Sequence, residues 1–366
     1  MPSSKAYGIQ IAKMCEAFIE QGVELELIIP RTRQSHLSLK EFYGLRVDVP
    51  TRVLATVDWY SSGRIGFFLS SLIFMTSACL YLLRCARASA IYTIDMDSYS
   101  YAPLVLLGLP VSVEMHSPKT ANIGNRFFFK RVAHIITTNP LIKESLGNVF
   151  GLPSERFIVE PNGVDPLVFE VPSKEYARST LNLPADAKIV LYVGRFYDWK
   201  GLSVLHQAAI ELEKNNILTY AVGGTKEEFE VRTKESSPAL LFGGLVVHKD
   251  IGTWCAAADV LLILGTKTNE FSYRYTAPMK LYEYLASGRP IVVADTPALR
   301  SLTNEEEAEF YIPDNADDLV QKISTVFSSP KKSKHAVAVG VQKAREHTWN
   351  KRAGRIISFM GYFVNR

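Results

Sequence analysis

Two short segments hold the side chains best suited to chemistry. The first is Val190-Leu-Tyr-Val-Gly194-Arg195-Phe-Tyr-Asp-Trp-Lys200-Gly201. An apolar run ends at Gly194, and Arg195 and Lys200 follow before a helix is predicted to open near Leu202. Glycine lets backbone approach a ligand closely, and a helix N-terminus favours anions. Arg195 offers a planar fork for phosphate oxygens and Lys200 a mobile point charge. The pair suits a diphosphate. The plainer reading is a surface loop with solvated charges.

The second segment is Ala277-Pro-Met-Lys280-Leu-Tyr-Glu283-Tyr-Leu-Ala-Ser-Gly288-Arg-Pro-Ile-Val-Val-Ala294. Pro278 suits the first turn of a helix, Gly288 its C-terminal cap, and Pro290 stops it before the next strand. Lys280 and Glu283 share one helix face at this spacing. They could form a structural salt bridge, or Glu283 could accept hydrogen bonds from vicinal hydroxyls such as those of a ribose. In Ser112-Val-Glu-Met-His116, His116 follows a strand and would project from its carboxyl end, although a lone histidine is more often structural. Asp95-Met-Asp97 also follows a strand, a pattern that can hold a divalent metal on a diphosphate. It lies far along the chain from the cations that would already meet the phosphates, so we read it as a loop pair with a capping role for Asp97 and expect no metal.

These residues need strand ends to carry them. Apolar runs at Leu25–Ile29, Ile91–Ile94, Val111–Met115, Ile135–Thr138 and Phe157–Val159 alternate with helical stretches in the first half. Runs at Ile189–Val193, Leu218–Val222, Leu240–Phe242, Val260–Leu264 and Ile291–Ala294 do so in the second. Most are apolar on both faces, as in parallel sheets covered by helices. A length of 366 residues suggests two domains, with the boundary expected between Pro166 and Lys174. Two such sheets put ligands at the carboxyl ends of their strands, so a cleft between the domains is the expected site. The chain opens with a polar segment, a helix over Ile9–Ile19 and a strand at Leu25–Ile29, which is how a Rossmann-type unit looks without its first strand. We expect that strand to be missing, leaving a slot beside Leu25–Ile29.

Composition excludes several classes. With 47% hydrophobic and 21% charged residues the chain reads as globular rather than disordered. A net charge of +4 is too small for a dedicated nucleic-acid binder. Cys15, Cys79, Cys85 and Cys255 have neither disulfide-framework nor zinc spacing and read as reduced thiols of a cytoplasmic protein. Ile65 to Leu83 is free of charge between Arg64 and Arg84, long enough to cross a bilayer. Its serines, its threonine and its place inside an α/β domain favour a helix packed on a sheet, with a part-exposed face touching the membrane as the intermediate case. Arg126-Phe-Phe-Phe-Lys-Arg131 and Arg355-Ile-Ile-Ser-Phe-Met-Gly-Tyr-Phe363 interleave cations with aromatics. With Ile65–Leu83 they suggest peripheral contact with the inner face of the cell membrane.

The ordered set of motifs resembles the retaining GT-B glycosyltransferases of the family-4 type (glycosyl transferases group 1). It comprises Asn162-Gly-Val-Asp165, Gly194-Arg195 with Lys200-Gly201, Gly243-Gly-Leu-Val-Val-His248, Ala258-Asp259, Pro278-x-Lys280-x-x-Glu283-Tyr-x-Ala-x-Gly288-x-Pro290 and Thr348-Trp349-x-x-x-Ala353. The resemblance implies two Rossmann-like domains: an acceptor domain over residues 1–168 and a nucleotide-sugar domain over 169–346, with 347–366 as a helix packing back on the first.

The resemblance gives Arg195 and Lys200 to the diphosphate, and makes Gly194, Lys280, Leu281 and Glu283 donor-binding residues, with Glu283 at the ribose. It sets Val246, Val247 and His248 beside the base and His116 at the donor sugar. It matches Gly8 to the glycine of the loop that reaches the donor phosphates. One departure stands out: the first glutamate of the family's acidic pair falls on Tyr275, which bears on the sugar and its contacts. The implied reaction is metal-independent hexosyl transfer, with retention, from a nucleotide-diphosphate sugar, used as co-substrate and not as cofactor. The acceptor would be a hydroxyl of a glycan or lipid-linked molecule in cell-surface glycan or glycolipid synthesis. The alternatives are a GT-B sugar-nucleotide epimerase, or a non-catalytic nucleotide-sugar-binding remnant.

Overall fold

Strands apolar on both faces pair in parallel and need helices over each face, and both halves of the computed structural model are built that way. The structure describes all residues except 1, 4, 34, 86–88, 95–101, 166, 168–169, 171, 237 and 362–366. Asp95 and Asp97 therefore lie outside the described residues, as does Phe363. The chain forms two units, residues 1–162 with 349–366, and residues 163–348. The change of unit falls at Asn162 and Gly163, just before the stretch suggested by composition. Val164 already belongs to the second core, is fully buried there, and pairs with Thr348.

The first unit runs through α1 (Ala6–Glu20), β1 (Leu27–Pro30), α2 (Leu39–Tyr43), β2 (Thr51–Leu54), α3 (Gly63–Arg84), β3 (Ile91–Ile94) and β4 (Val111–Met115). It continues with α4 (Ile123–Arg131), β5 (His134–Thr137), α5 (Pro140–Phe150) and β6 (Phe157–Val159). Its strands are parallel but form two sheets, β1–β2 and β3–β4–β5–β6. Among the described residues β1 and β3 are each paired on one side. β4 is buried at all five positions, as a central parallel strand should be.

The second unit contains α6 (Lys174–Thr180), β7 (Lys188–Val193), α7 (Leu202–Glu213), β8 (Ile217–Val222), α8 (Lys226–Thr233), β9 (Leu240–Gly244), α9 (Ile251–Ala257) and β10 (Val260–Ile263). It ends with α10 (Lys280–Ala286), β11 (Ile291–Ala294), α11 (Pro297–Arg300), β12 (Glu309–Tyr311), α12 (Ala316–Ser328) and α13 (Pro330–Glu346). One parallel sheet of order β12-β11-β10-β7-β8-β9 carries the core. From β7 the chain builds outward through β8 and β9, then returns to the other side of β7 with β10. The switch point of the topology is thus between β7 and β10, where open α/β sheets bind ligands at their carboxyl ends.

Asp259, just before β10, accepts hydrogen bonds from the Ile189 amide at 2.8 Å and from Arg178 at 2.8 Å, and pairs with Lys174 at 2.9 Å. Its place in the motif set is therefore structural. After the second unit, α14 (Trp349–Phe359) packs on α1 within the first.

Helix α3 departs from the expected core-packed helix. Its buried residues are Gly66, Ser70, Ser71, Met75 and Ala78, while most of its large apolar side chains are exposed. The reason lies in the segment before it. The Trp59 amide donates to the Ser70 hydroxyl at 3.1 Å, and the Thr56 hydroxyl to the Ser70 carbonyl at 2.7 Å, so polar contacts decide which face is inside.

Candidate active site

The loop after β7 is shaped by close backbone approach. The Gly194 amide donates to the Val222 carbonyl at 2.7 Å. Gly223, at φ +118°, lies so near that a Cβ there would sit 2.6 Å from the Gly194 carbonyl oxygen, so only glycine fits.

Around Gly194 the polar groups converge. A Cβ built on it would be 3.2 Å from the Tyr192 hydroxyl, 3.3 Å from Lys200 Nζ and 3.5 Å from Lys280 Nζ. The Tyr192 hydroxyl is buried and has no hydrogen-bond partner among the described residues. Lys200 donates to the Arg195 carbonyl at 3.1 Å and Lys280 to the Val193 carbonyl at 3.0 Å, with Lys280 also 4.1 Å from the Tyr192 ring centre.

Burial, helped by the Arg195 charge, pulls the Lys200 ammonium down to about 8. Burial and the neighbouring Lys200 push Lys280 well below the ordinary lysine range, although Glu283 acts in the opposite sense. Gathered like charges in a desolvated place are costly without an anion to meet them. A phosphate group would supply one.

Lys280 and Glu283 do not pair with each other in the manner of a structural salt bridge. Lys280 turns to β7, whereas Glu283 accepts from His248 Nε2 at 2.7 Å. His248 follows Leu245, Val246 and Val247, of which Val246 packs on the core while Leu245 and Val247 are exposed. Leu281 is fully buried in that core and its amide is taken by the Pro278 carbonyl at 3.1 Å, so it packs rather than presents a group to a ligand.

Tyr275 ends a π-helical turn over Phe271–Tyr275, whose Phe271 meets Trp199 edge-on at 5.2 Å. Gly201, at φ +71°, presses against Gly265 and Thr266, where a Cβ would come within 3.1 Å of Thr266 Cβ. The loops after β7 and β10 are thereby packed into one cluster at the switch point. Arg195, Lys200, Gly194, Lys280, Glu283 and His248 belong to it. The sequence reading missed Tyr192 and the Trp199–Phe271 contact.

His116, at the end of β4, hydrogen-bonds through Nε2 to Glu114 at 2.9 Å. Glu114 is fully buried and also meets Gln10 at 2.7 Å, the Tyr92 hydroxyl, and Arg352 of α14 at 2.8 and 3.2 Å. Burial alone would raise this carboxyl, but the Arg352 charge and the His116 and Arg352 hydrogen bonds outweigh it and hold the group at about 2. As a carboxylate it can only accept, so Nε2 carries the proton and Nδ1 is the imidazole atom turned elsewhere. The sequence offered a signal for this: a glutamate inside a mostly apolar strand needs a partner for its charge.

Gly8 is not in a loop. It lies in the first turn of α1, and a Cβ there would meet the Tyr43 hydroxyl at 2.6 Å and the Ser3 carbonyl at 2.7 Å. Its glycine is explained by that packing. Among the described residues, no group of three or more His, Cys, Asp or Glu could hold a metal ion.

Residues 187–329 match the family model described as glycosyl transferases group 1. A D-inositol 3-phosphate glycosyltransferase of Nocardioides sp. is 23% identical over 255 residues, covering 63% of this chain and 54% of the relative. The chain spans about half the length of the curated relatives it matches. Among solved structures, the sucrose-phosphate synthase of Thermosynechococcus elongatus superposes with a TM-score of 0.76 at 18% identity, over 97% of this chain and 92% of that one. Anabaena HepE in complex with UDP and glucose gives 0.73 at 15% identity, over 99% and 98%. The chain thus has the two-domain parallel α/β fold of GT-B glycosyltransferases, and its group 1 match falls on the unit that carries the switch-point cluster.

Proposed function

We propose that the protein is a retaining, metal-independent glycosyltransferase that moves a hexosyl group from a nucleotide-diphosphate sugar to a hydroxyl of a glycan or lipid-linked acceptor, on the cytoplasmic side of the cell membrane. The observation that carries this reading is the gathering of Lys200, Lys280 and the Tyr192 hydroxyl, which has no partner among the described residues, on Gly194, with Arg195 beside them. The group 1 match over the same residues and the fold shared with the UDP-bound HepE structure support it.

In this reading the donor diphosphate lies on Gly194, held by Arg195 and Lys200. Charge grows on the leaving phosphate as the anomeric bond breaks, and fixed cations stabilise that charge more than the ground state. Lys280 adds to the field and fixes the end of β7 through the Val193 carbonyl. Glu283 accepts the ribose hydroxyls, displacing or sharing His248, with Val246 and Val247 leading to the base. His116 has Nε2 engaged by Glu114, which leaves Nδ1 for a hydrogen bond to the sugar.

The acceptor oxygen attacks from the face the diphosphate leaves, and its proton passes to a departing phosphate oxygen. The configuration is thereby kept, and no protein nucleophile is needed. Tyr275 stands where the family's first acidic residue would be, and we assign to it a contact with the transferred sugar by ring packing and hydroxyl. The test is a donor screen that detects nucleoside diphosphate release in the presence of acceptor extracts and excess chelator. Release that needs an added divalent ion, or none with any donor, would reject the reading.

A further inference from the structure

Helix α3 is inside out, and what it shows to the outside forms a surface. Ile65, Phe68, Leu72, Ile73, Leu80 and Leu83 make one exposed stripe along the helix, with Ile65 77% and Leu83 66% exposed. Roll of the helix cannot hide them. Ser70 is tied to Thr56 and Trp59, and the Ser77 hydroxyl donates to the Ala55 carbonyl at 2.9 Å. An apolar face this long is uncommon on a protein that meets only water.

The neighbouring surface is basic. The short turn Ala102–Leu106 packs against both α3 and α4 and exposes Leu106. α4 opens on Ile123, 90% exposed, and turns Arg126, Lys130 and Arg131 outward. From residue 59 to 143 the sequence has eight Lys and Arg against three acidic residues. Of the three acids Glu114 is buried, and Asp95 and Asp97, like Arg87 among the cations, lie outside the described residues. The first unit has 20 Lys and Arg against 13 Asp and Glu, whereas the second has 21 against 24. A second copy set face to face on this surface would oppose like charge. A surface of anionic headgroups over hydrocarbon complements both features at once.

We infer that the outward face of α3, with the basic face of α4, is a docking surface for an anionic lipid bilayer, the helix lying in the interface rather than crossing it. The polar inner face of α3, bonded to residues 55–59, stays with the protein while the apolar stripe enters the headgroup boundary. This inference is independent of the transfer reaction.

Co-sedimentation of the full chain with phosphatidylcholine vesicles, with and without phosphatidylglycerol, tests it. Binding is expected to be about tenfold or more tighter with the anionic lipid and to weaken as salt is raised. Leu72→Ser with Leu80→Ser should reduce binding about tenfold or more, since each leucine buries several methylene equivalents. Arg126→Glu with Lys130→Glu should remove the preference for phosphatidylglycerol. Thermal melting of each variant, unchanged from the parent, shows that the fold is kept. No binding by the parent, or equal binding by well-folded variants, overturns the inference. So does a parent dimer that the leucine variant dissolves, or resistance of the bound protein to alkaline carbonate extraction.

Discussion

Two places in the molecule gather charge, and they do it in opposite ways. In the first unit Glu114 and Arg352 form a closed pair, and the remaining capacity of the carboxylate is taken by Gln10, Tyr92 and His116. In the second unit Lys200 and Lys280 are brought together beside a phenol with no partner among the described residues. The first arrangement is complete without a ligand and serves the fold. In the second, among the described residues, neither ammonium is paired with a carboxylate; both donate to backbone carbonyls. Gathered charge therefore marks a binding site where it is left unbalanced, and the difference is visible in the partners: the fully buried Glu114 and Arg352 meet each other, whereas the half-buried Lys200 and Lys280 meet backbone carbonyls.

Breaking the closed pair should have the largest effect. Glu114→Gln or Arg352→Leu leaves an uncompensated buried group, and unfolding free energy should fall by about 3–5 kcal/mol in either single variant. The double variant should lose much less than the sum, as measured by denaturant titration. The same pair sets an acid limit. Because Glu114 is held at about 2, below its ordinary 4.5, its contribution is present above 4.5 and is lost as pH falls from there towards 2. Denaturant midpoints across that range should decline in the parent and decline less in Glu114→Gln.

Changing the unbalanced cluster should act on turnover with the fold intact. Arg195→Ala or Lys200→Ala should each lower kcat by about 2–3 orders of magnitude, the scale for losing one preorganised charge stabiliser. Near-parent turnover with a normal melting curve would remove that residue from the site.

A smaller effect follows from titration. With Lys200 at about 8, its charge is present below that pH and lost above it, so donor affinity should fall as pH rises past 8. Near pH 8 donor binding should also draw a proton from buffer, read as a binding enthalpy that depends on the buffer used. The smallest effect is Tyr192→Phe. It removes a hydroxyl with no partner among the described residues, so stability should be unchanged or slightly raised, while donor affinity drops by about 1 kcal/mol. Loss of stability instead would mean the hydroxyl already has a partner.

Much of this was legible in the sequence wherever local pattern decides the outcome. Apolar runs gave β3, β4, β6 and β11 at their observed bounds, and Pro278, Gly288 and Pro290 framed α10. The edge strands β2 and β12 were not read, because short edges need little apolar pattern. The pairing of Glu114 with Arg352 spans 238 positions and depends on α14 packing beside α1, which no local spacing encodes. Gly8 looked like a loop glycine because its neighbours match such a loop, yet its role is to admit Tyr43 and Ser3 against a helix. The exposure of α3 was not legible for a related reason. Its hydrophobicity favoured a helix packed on a sheet, but hydrogen bonds from Thr56 and Trp59 to Ser70 set its polar face inward.

The central claim is that the unbalanced cluster on Gly194 receives a diphosphate. Calorimetric titration of a panel of nucleoside diphosphates into the full chain, and into the Arg195→Ala and Lys200→Ala variants, tests it most directly. We predict saturable binding of at least one nucleotide by the parent, weakened about tenfold or more in each variant, as charge-assisted hydrogen bonds to phosphate are lost. Binding of equal strength in parent and both variants, or no binding of any nucleotide, would contradict it.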